Sequence, residues 1–352
     1  MTIGIVQDRH AHSVLGANPL MPIHDRSLLI LSASEVKRAL PMWEAVDVMK
    51  AAFRELSEGE AIVPPRTHVA LPESKGDVLF MPAYSTPEGR FGLKVITLFE
   101  NNRLIGLPFI QALIMVFDTR TGSPISVMDG TSLTAIRSGA ASGAATDLLA
   151  CRGATRVAIF GAGTQARTQL EAVCAVRTIR SACVFDMDPE LAAKFAREAG
   201  EELDIPVSVA RTSAQALDGA EIVCCATTSA IPVFADSELA TGTHINAIGS
   251  YKPHMREIPP ETVVRAYVVV DQVEAAWSEA GDLILPLRDK LIRKSHIRAE
   301  LGQIVSGKKP VRTKPGQVTF FKSVGIAIQD LAAATRVLVN ADKLGLGTRV
   351  KM

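Results

Sequence analysis

Aromatic residues are scarce in this sequence, and neither sign of charge dominates it. Phe, Trp and Tyr make up 5% of the 352 residues, and the formal net charge is +1. Without a basic excess or a base-stacking surface, the chain is not expected to bind nucleic acid or an anionic membrane. No apolar run is long enough to cross a bilayer, and residues 1–22 lack the basic start and apolar centre of a signal peptide. These absences predict a globular protein with no nucleic-acid or membrane partner.

Cysteine is also sparse, and its distribution excludes the usual frameworks. The five cysteines are an odd number without metal-ligand spacing. They are Cys151, Cys174, Cys183, Cys224 and Cys225. This usage predicts reduced, mostly core residues in a cytoplasmic protein. The histidines show no H-x-x-x-H spacing, so no metal site is expected. A G-x-S-x-G elbow is absent as well, which leaves nucleophilic hydrolase chemistry unsupported.

The most informative stretch is an apolar strand that runs into a glycine turn over residues 156–166. Its G-x-G-x-x-A pattern is a variant of the dinucleotide-binding fingerprint: Gly161 permits the turn, Gly163 lets backbone approach a pyrophosphate, and Ala166 keeps helix and strand close. The other residues of this predicted cofactor-binding turn are Ala162, Thr164 and Gln165. Asp186 ends the next strand, 25 residues after Gly161, near the spacing of the acid that binds the adenosine ribose. The turn alone could be an ordinary tight turn, but strand, helix and acid together favour dinucleotide binding.

The distribution of apolar segments predicts an α/β protein with two sheets. From Arg156 to about Val270 strands and helices alternate, which predicts a doubly wound parallel sheet. A run of strands over residues 66–128 predicts a largely antiparallel sheet with helices on one face. Helical stretches are expected around Ile297–Ser306 and from Ile326 to about Leu344. The last helix is too apolar for a free tail, so it should pack on the first domain or a partner subunit.

Polar clusters follow two of the predicted parallel strands. Because ligands bind at the carboxyl ends of such strands, these clusters are candidate cofactor contacts. They are Ala226-Thr227-Thr228-Ser229 and Gly249-Ser250-Tyr251.

Three isolated cations stand among apolar neighbours: Arg66, Lys94 and Arg137. A cation in a core-facing position is unfavourable unless it meets an anion. Each could pair with an internal carboxylate or extend to water, which is the commoner outcome for a single residue. Alternatively, the arginines could bind a carboxylate in a bidentate manner and the lysine could contact a reacting group. Sequence spacing alone does not bring them together.

Several motifs in the same order resemble those of the ornithine cyclodeaminase/μ-crystallin family over roughly residues 28–350. They are Pro65-Arg66, Phe80-Met81-Pro82, Gly92-Leu93-Lys94, Met128-Asp129-Gly130-Thr131, the segments 134–140, 161–166 and 242–250, and Phe321-Lys322-Ser323-Val324-Gly325. The resemblance implies an NAD(P)-dependent homodimer in which a Rossmann doubly wound parallel sheet is inserted into an α+β substrate and dimerisation domain. On that basis we expect a loose extension over 1–27, a substrate and dimerisation domain over 28–138 plus 323–352, and a Rossmann domain over 139–322.

The resemblance also implies roles for single residues. Lys94 corresponds to the catalytic cation, and with Arg66 and Arg137 it would hold the substrate carboxylate. Residues expected beside the substrate are Met81, Val324 and Gly325. Ser138 is expected near the cofactor, and Asp186 favours NAD(H) over NADP(H), which stays possible, because a carboxylate repels a 2′-phosphate.

Three departures from the cyclodeaminase pattern bear on the reaction. Where cyclodeaminases have carboxylates, this chain has Leu79, Tyr251 and Lys322. Cyclisation of ornithine needs carboxylates for its second amine, so the chain looks more like the family's ketimine reductases. These reduce Δ1-pyrroline-2-carboxylate and related cyclic imines to L-proline or L-pipecolate. Ornithine cyclodeaminase, an alanine or other amino-acid dehydrogenase, and a μ-crystallin-like ligand-binding protein remain alternatives.

Overall fold

The chain forms two β-sheets of eight strands each, and the computed structural model describes residues 27–314 and 316–352. The first sheet contains β1 (Ser27–Leu31), β2 (Ala61–Ile62), β3 (Thr67–Leu71), β4 (Gly76–Ser85), β5 (Arg90–Phe99), β6 (Ile110–Asp118), β7 (Pro124–Asp129) and β16 (Thr348–Lys351). The second contains β8 (Arg156–Phe160), β9 (Ser181–Phe185), β10 (Val207–Val209), β11 (Ile222–Cys225), β12 (His244–Ala247), β13 (Tyr267–Val270), β14 (Ile297–Glu300) and β15 (Thr319–Lys322). The predicted extension over residues 1–27 lies outside the described part, apart from Ser27.

Eleven α-helices and four short 3₁₀ helices are found in the described residues. The α-helices are α1 (Ala33–Ala39), α2 (Met42–Glu58), α3 (Gly130–Leu149), α4 (Thr164–Val176), α5 (Pro189–Leu203), α6 (Ser213–Leu217), α7 (Pro260–Arg265), α8 (Val273–Glu279), α9 (Gly281–Arg288), α10 (Leu301–Val305) and α11 (Ala327–Leu344). The 3₁₀ helices span Pro72–Ser74, Glu100–Ile105, Asp236–Glu238 and Lys294–His296. No helix in this part of the chain is both long enough and apolar enough to cross a membrane.

The first sheet is antiparallel except where β1 pairs with β7, and its strand order is β16-β1-β7-β6-β5-β4-β2, with β3 on β4. Alternate residues of β4, β5 and β6 are buried, as expected for a sheet covered on one face. Helices α2, α3 and α11 contribute to the core on that face, together with Met81, Ile96 and Ile114. The C-terminal helix therefore packs on the first sheet, as its apolar composition predicted.

The second sheet is entirely parallel, with the order β10-β9-β8-β11-β12-β15-β13-β14. The chain winds outward from β8 to β10 and then returns to the other side of β8 at β11. This confirms the predicted doubly wound α/β sheet. Its switch point lies between β8 and β11, where such sheets bind ligands.

The helix predicted around Ile297–Ser306 is wrong in its first half. Residues Ile297–Glu300 form β14 rather than the start of a helix, and only Leu301–Val305 are helical. The segment pairs with β13 at the edge of the second sheet, a long-range contact that outweighs its weak helical pattern. Helices α7 and α9 and strand β16 were not predicted either.

Helix α3 joins the two sheets and is buried along most of its length. Its small residues allow α4 to approach closely: a Cβ at Gly139 would collide with the backbone carbonyl of Thr168.

We expect Gly139→Ala to destabilise the protein by at least about 2 kcal/mol, because neither helix backbone can give way. Urea unfolding measures this, with Gly153→Ala as the control, since a Cβ there meets no atom within 4 Å. Equal stability of the two variants would contradict this account of the packing.

Candidate functional site

The turn after β8 has the geometry expected of a dinucleotide-binding loop. Gly161 has φ +95°, and a Cβ there would lie 2.8 Å from the carbonyl oxygen of Ala226, so only glycine fits. Gly163 is exposed and precedes the first turn of α4, while Ala166 is fully buried against the sheet. Gln165 turns its side-chain oxygen inward, where it has no hydrogen-bond partner among the described residues. These features leave backbone N–H groups at the start of α4 open to an anionic ligand.

Asp186 lies at the carboxyl end of β9 beside this turn. Its Oδ2 accepts a hydrogen bond from the Ala162 N–H at 2.7 Å, and its Oδ1 accepts one from the Asp188 N–H at 2.9 Å. The N-terminal cap of α5 is the neighbouring Asp188, which accepts from Glu190 and Leu191. Asp186 is therefore not needed as a cap, and it stands at the edge of the turn as its spacing predicted.

The loops after β11 and β12 are joined by one buried carboxylate that the sequence did not reveal, Glu257. Its Oε1 accepts from the N–H and hydroxyl of Thr227, at 2.7 and 2.9 Å. Its Oε2 accepts from the N–H groups of Gly249 and Ser250, at 2.7 and 3.1 Å. The polar clusters predicted at these two strand ends are thus brought together. Tyr251 packs instead toward the core of the first sheet.

A second carboxylate, Asp271 at the end of β13, holds the segment that follows β15. Its Oδ2 accepts from the Ser323 hydroxyl and from the N–H groups of Val324 and Gly325, each at 2.8 Å. Gly325 has φ +78°, and a Cβ there would lie 2.5 Å from Nη1 of Arg137. The turn after β15 therefore rests directly on the guanidinium of α3.

The predicted cations Lys94 and Arg137 meet at one buried carboxylate, Asp330 of α11. Lys94 Nζ lies 2.7 Å from Asp330 Oδ2, and Arg137 Nε donates to Asp330 Oδ1 at 2.9 Å. Arg137 Nη1 also donates to the side-chain oxygen of Gln329 at 3.1 Å. Burial alone would raise the pKa of Asp330, but Arg137 and Lys94 outweigh it and the pKa is lowered. The carboxylate is thus an anion held by two cations.

Lys94 is the most deeply buried cation of the cluster. Its side chain is completely buried, and burial, with a smaller contribution from Arg137 and Arg66, lowers its pKa to about 7 against the opposing effect of Asp330. Nζ lies 2.7 Å from Asp330 Oδ2 and has no other partner among the described residues, so at least two of its three N–H donors are free. A buried ammonium with free donors and a pKa near neutrality is suited to bind an acceptor and to release a proton.

Arg66 reaches the same cluster from the segment before β3. Its Nη2 donates to the Gly325 carbonyl, and its Nε lies 3.0 Å from Glu279 Oε1 at the end of α8. Burial raises the pKa of Glu279 although Arg66 opposes the shift. Each cation has thus found an internal carboxylate, the commoner outcome for single residues. The three also converge around Gly325 and Asp330, which their spacing did not show.

Two of the other predicted site residues, Met81 and Ser138, are buried, and two, Val324 and Thr228, lie nearer the surface. Met81 is buried and pairs in register with Lys94 on the neighbouring strand, so it is a core residue beside the cluster. Ser138 is buried in α3 and its carbonyl accepts from Gln169. Val324 is half-buried next to Gly325, whereas Thr228 is exposed at the rim.

The site holds several carboxylates. Carboxylates that sequence analysis missed pair with all three cations or hold the adjoining loops; they are Asp330, Glu279, Glu257, Asp271 and Asp282. Of these carboxylates, only Asp330 could have been identified from the sequence, because it lies with Gln329 on the apolar side of a predicted helix. No group of three or more His, Cys, Asp or Glu side chains in the described ranges could hold a metal ion.

The chain is similar to known proteins over nearly its whole length. A model of the ornithine cyclodeaminase/mu-crystallin family matches residues 26–344. A Δ1-pyrroline-2-carboxylate reductase of Bacillus cereus is 37% identical over 325 residues, which are 92% of this chain and 100% of the relative.

Two solved structures share the fold. The Thermococcus litoralis Δ1-pyrroline-2-carboxylate reductase in complex with NADH and L-proline has a TM-score of 0.89 and 40% identity, covering 92% of this chain and 100% of that one. An archaeal alanine dehydrogenase dimer with bound NAD has a TM-score of 0.86 and 33% identity, covering 93% and 99%. The paired sheets, the glycine turn and the sequence similarity together show that the chain belongs to the ornithine cyclodeaminase/mu-crystallin family.

Proposed function

We propose that the protein reduces a cyclic 2-imino acid with NADH. The substrate is Δ1-pyrroline-2-carboxylate or its six-membered homologue Δ1-piperideine-2-carboxylate, and the product is L-proline or L-pipecolate. The observation that supports this most is the fully buried Lys94, whose Nζ carries free donors beside Arg137. The reductase activity of relatives at 37% and 40% identity, one of them in complex with NADH and L-proline, agrees with it.

The residues present fit a dinucleotide. The N–H groups after Gly161 and at the start of α4 would hold the pyrophosphate, and Asp186 would accept from the adenosine ribose in place of the Ala162 N–H that it binds now. The loops of Thr227 and Gly249 would border the nicotinamide. NADH is favoured over NADPH because a carboxylate at residue 186 repels a 2′-phosphate. When bound, the reduced nicotinamide supplies a hydride to the C=N carbon and is oxidised.

The chain's own residues would bind the substrate and handle the proton. Arg66 and Arg137 keep donors that are not used by Glu279, Gln329 or Asp330, and these would bind the substrate carboxylate. Lys94 would hydrogen-bond near the imine and provide the proton that the ring nitrogen needs, since its pKa is close to neutrality. Fixing the carboxylate on two guanidinium groups would place the C=N carbon, so positioning supplies much of the acceleration.

Ornithine cyclodeamination is less well supported. The positions that would carry its carboxylates hold Leu79, which is partly buried against the first core, and Tyr251. The third holds Lys322, whose ammonium is paired with Asp282 at 3.0 Å. None of these side chains is a carboxylate that could bind and deprotonate the second amine of ornithine.

A substrate panel tests the proposal. Δ1-Pyrroline-2-carboxylate, Δ1-piperideine-2-carboxylate, L-ornithine, and pyruvate with ammonia are each supplied with NADH or NADPH, or with NAD⁺ in the case of ornithine. The loss of nicotinamide absorbance and the release of ammonia are followed. We expect turnover of at least one cyclic imine and no ammonia from ornithine. No reduction of either imine with either cofactor, together with ammonia release from ornithine, would reject the proposal.

We infer the domain division and a homodimer from the same resemblance. Because the chain leaves the second sheet at the end of β15, residues 139–322 would form the Rossmann domain, and 28–138 plus 323–352 the substrate and dimerisation domain. The archaeal alanine dehydrogenase with bound NAD is a dimer.

The five cysteines are all free thiols in the structure, which agrees with a cytoplasmic location.

The outer face of the first sheet is the surface proposed for dimerisation. Phe80, Val95 and Leu113 are lateral neighbours there, and Leu113 is 55% exposed. We expect Leu113→Asp to halve the mass in solution, because an apolar interface does not accommodate an unpaired charge. Light scattering measures the mass, with Leu291→Asp, at an equally exposed leucine (51%) near the second sheet, as the control. A dimeric Leu113→Asp variant would contradict this assignment.

A further inference from the structure

Beneath the loops proposed to border the nicotinamide lies a group of three fully buried charged side chains: Glu257, Asp282 and Lys322. Lys322 Nζ lies 3.0 Å from Asp282 Oδ2. Asp282 Oδ1 accepts from the N–H groups of Glu257 and Ile258, at 2.7 and 3.0 Å. The group thus ties α9 and β15 to the backbone of residue 257.

Glu257 is the member of this group that faces the strand ends. Its two oxygens receive four hydrogen bonds, from the N–H and hydroxyl of Thr227 and the N–H groups of Gly249 and Ser250. The loop of Gly249 is packed so tightly on it that a Cβ at this glycine would lie 2.6 Å from Glu257 Oε1. A single carboxylate therefore fixes the loops of two adjacent parallel strands at the edge where ligands bind.

A buried group of charged side chains such as this one adds little to the stability of the fold. Burying charges carries a desolvation penalty that their mutual attraction often fails to offset, and apolar residues of similar size are frequently as stable. Two carboxylates and one ammonium leave an excess negative charge, which the aligned N–H groups balance. Its benefit is directional, because four donors on these loops point at one carboxylate.

We propose that Glu257 is a positioning residue for the dinucleotide site, holding the Thr227 and Gly249–Ser250 loops in their binding conformation, while Asp282 and Lys322 hold Glu257. The inference rests on the cofactor site proposed above. Glu257 acts through backbone and touches no reacting atom.

This role has a pH signature. Burial, assisted by Asp282, raises the pKa of Glu257 to about 6, while Lys322 and the hydrogen bonds from Thr227 oppose the shift. The titratable groups that face it are Lys322 from β15, Asp282 from α9 and the Cys225 thiol from β11. Protonation would turn one of the two acceptor oxygens into an O–H that faces N–H donors, so one of the two loops would lose its acceptor. Dinucleotide affinity should therefore fall as the pH drops below about 6.

The experiment measures NAD⁺ binding to the full-length protein by calorimetry between pH 5 and 8. At pH 7.5 we expect Glu257→Gln to weaken binding about 10- to 100-fold, because the amide offers one acceptor where the carboxylate offers two. Wild-type affinity should decline below pH 6, and affinity of the variant should be nearly independent of pH. Glu55→Gln is the matched control, since Glu55 is a buried carboxylate with a raised pKa that binds Ser85 in the first sheet; it should bind NAD⁺ as the wild type does.

The outcomes separate this inference from the proposed function. Wild-type NAD⁺ affinity for Glu257→Gln, with an unchanged pH profile, overturns the positioning role and leaves the reductase proposal intact. A wild-type protein that binds no dinucleotide overturns both. If Glu257→Gln does not fold, the wild-type profile alone decides: affinity that is constant from pH 8 to 5, with an unchanged near-UV circular dichroism spectrum, rejects the inference.

Discussion

Replacing Lys94 by methionine is expected to lower kcat for imine reduction by about 10²- to 10⁴-fold, the range for loss of a general acid. The fold should persist, because methionine has a similar length and Asp330 keeps its ion pair with Arg137. Steady-state kinetics and a thermal melt measure the two effects. Lys50→Met is the control, since Lys50 pairs with Asp147 outside the cluster, and its kcat should be that of the wild type.

The pH profile gives an independent test of the same residue. Lys94 must be protonated to donate in the reductive direction, and its pKa is lowered to about 7. Activity in imine reduction should therefore be greatest below pH 7 and fall as the pH rises through that value, whereas oxidation of the cyclic amino acid should rise. A reductive profile that is flat from pH 6 to 9, or full kcat in Lys94→Met, would exclude the assigned role.

Gly325→Ala is expected to raise KM for the imine by at least about tenfold. The new Cβ would lie 2.5 Å from Arg137 Nη1, so the guanidinium must move away from its place beside Asp330. Misplacement of a substrate-binding group by about 1 Å can lower activity by about 10². The measurement is KM for the imine compared with KM for NADH, which should change much less because Arg137 is proposed to bind the imine and not the dinucleotide.

The control variant for this prediction, Gly59→Ala, shows the effect of backbone strain alone. Alanine at a left-handed position is unfavourable wherever it occurs, and Gly59 has φ +77°, almost the same as Gly325, with no atom within 4 Å of its hypothetical Cβ. Gly59→Ala should lose comparable stability yet keep the wild-type KM. If both variants bind the imine equally well, the contact between Gly325 and Arg137 has no part in binding.

Local features of this protein were predictable from sequence because local rules determine them. The turn at Gly161, the alternation of strands and helices after it and the packing of the C-terminal helix follow from glycine conformation and apolar periodicity. One exception is Ile297–Glu300, which forms a strand because it pairs with β13, and no local pattern encodes that partner.

The candidate site was predictable only in part. Arg66, Lys94 and Arg137 could be recognised as unusual cations, but Asp330 pairs with Arg137 across 193 positions of the chain, so spacing could not identify the partner. Asp330 could have been noticed as an acid on an apolar helical face. Glu257 and Asp282 gave no such signal, since neither belongs to a motif and both accept from backbone N–H groups, which no sequence pattern marks.

The central claim is that the protein transfers a hydride to the C=N carbon of a cyclic imino acid. The most direct measurement supplies Δ1-pyrroline-2-carboxylate with NADH that carries deuterium at the transferable position of the nicotinamide, and analyses the product by mass spectrometry and NMR. We expect L-proline with one deuterium at its α-carbon. Proline without deuterium, or no product while L-ornithine is converted with release of ammonia, would contradict the proposed reaction.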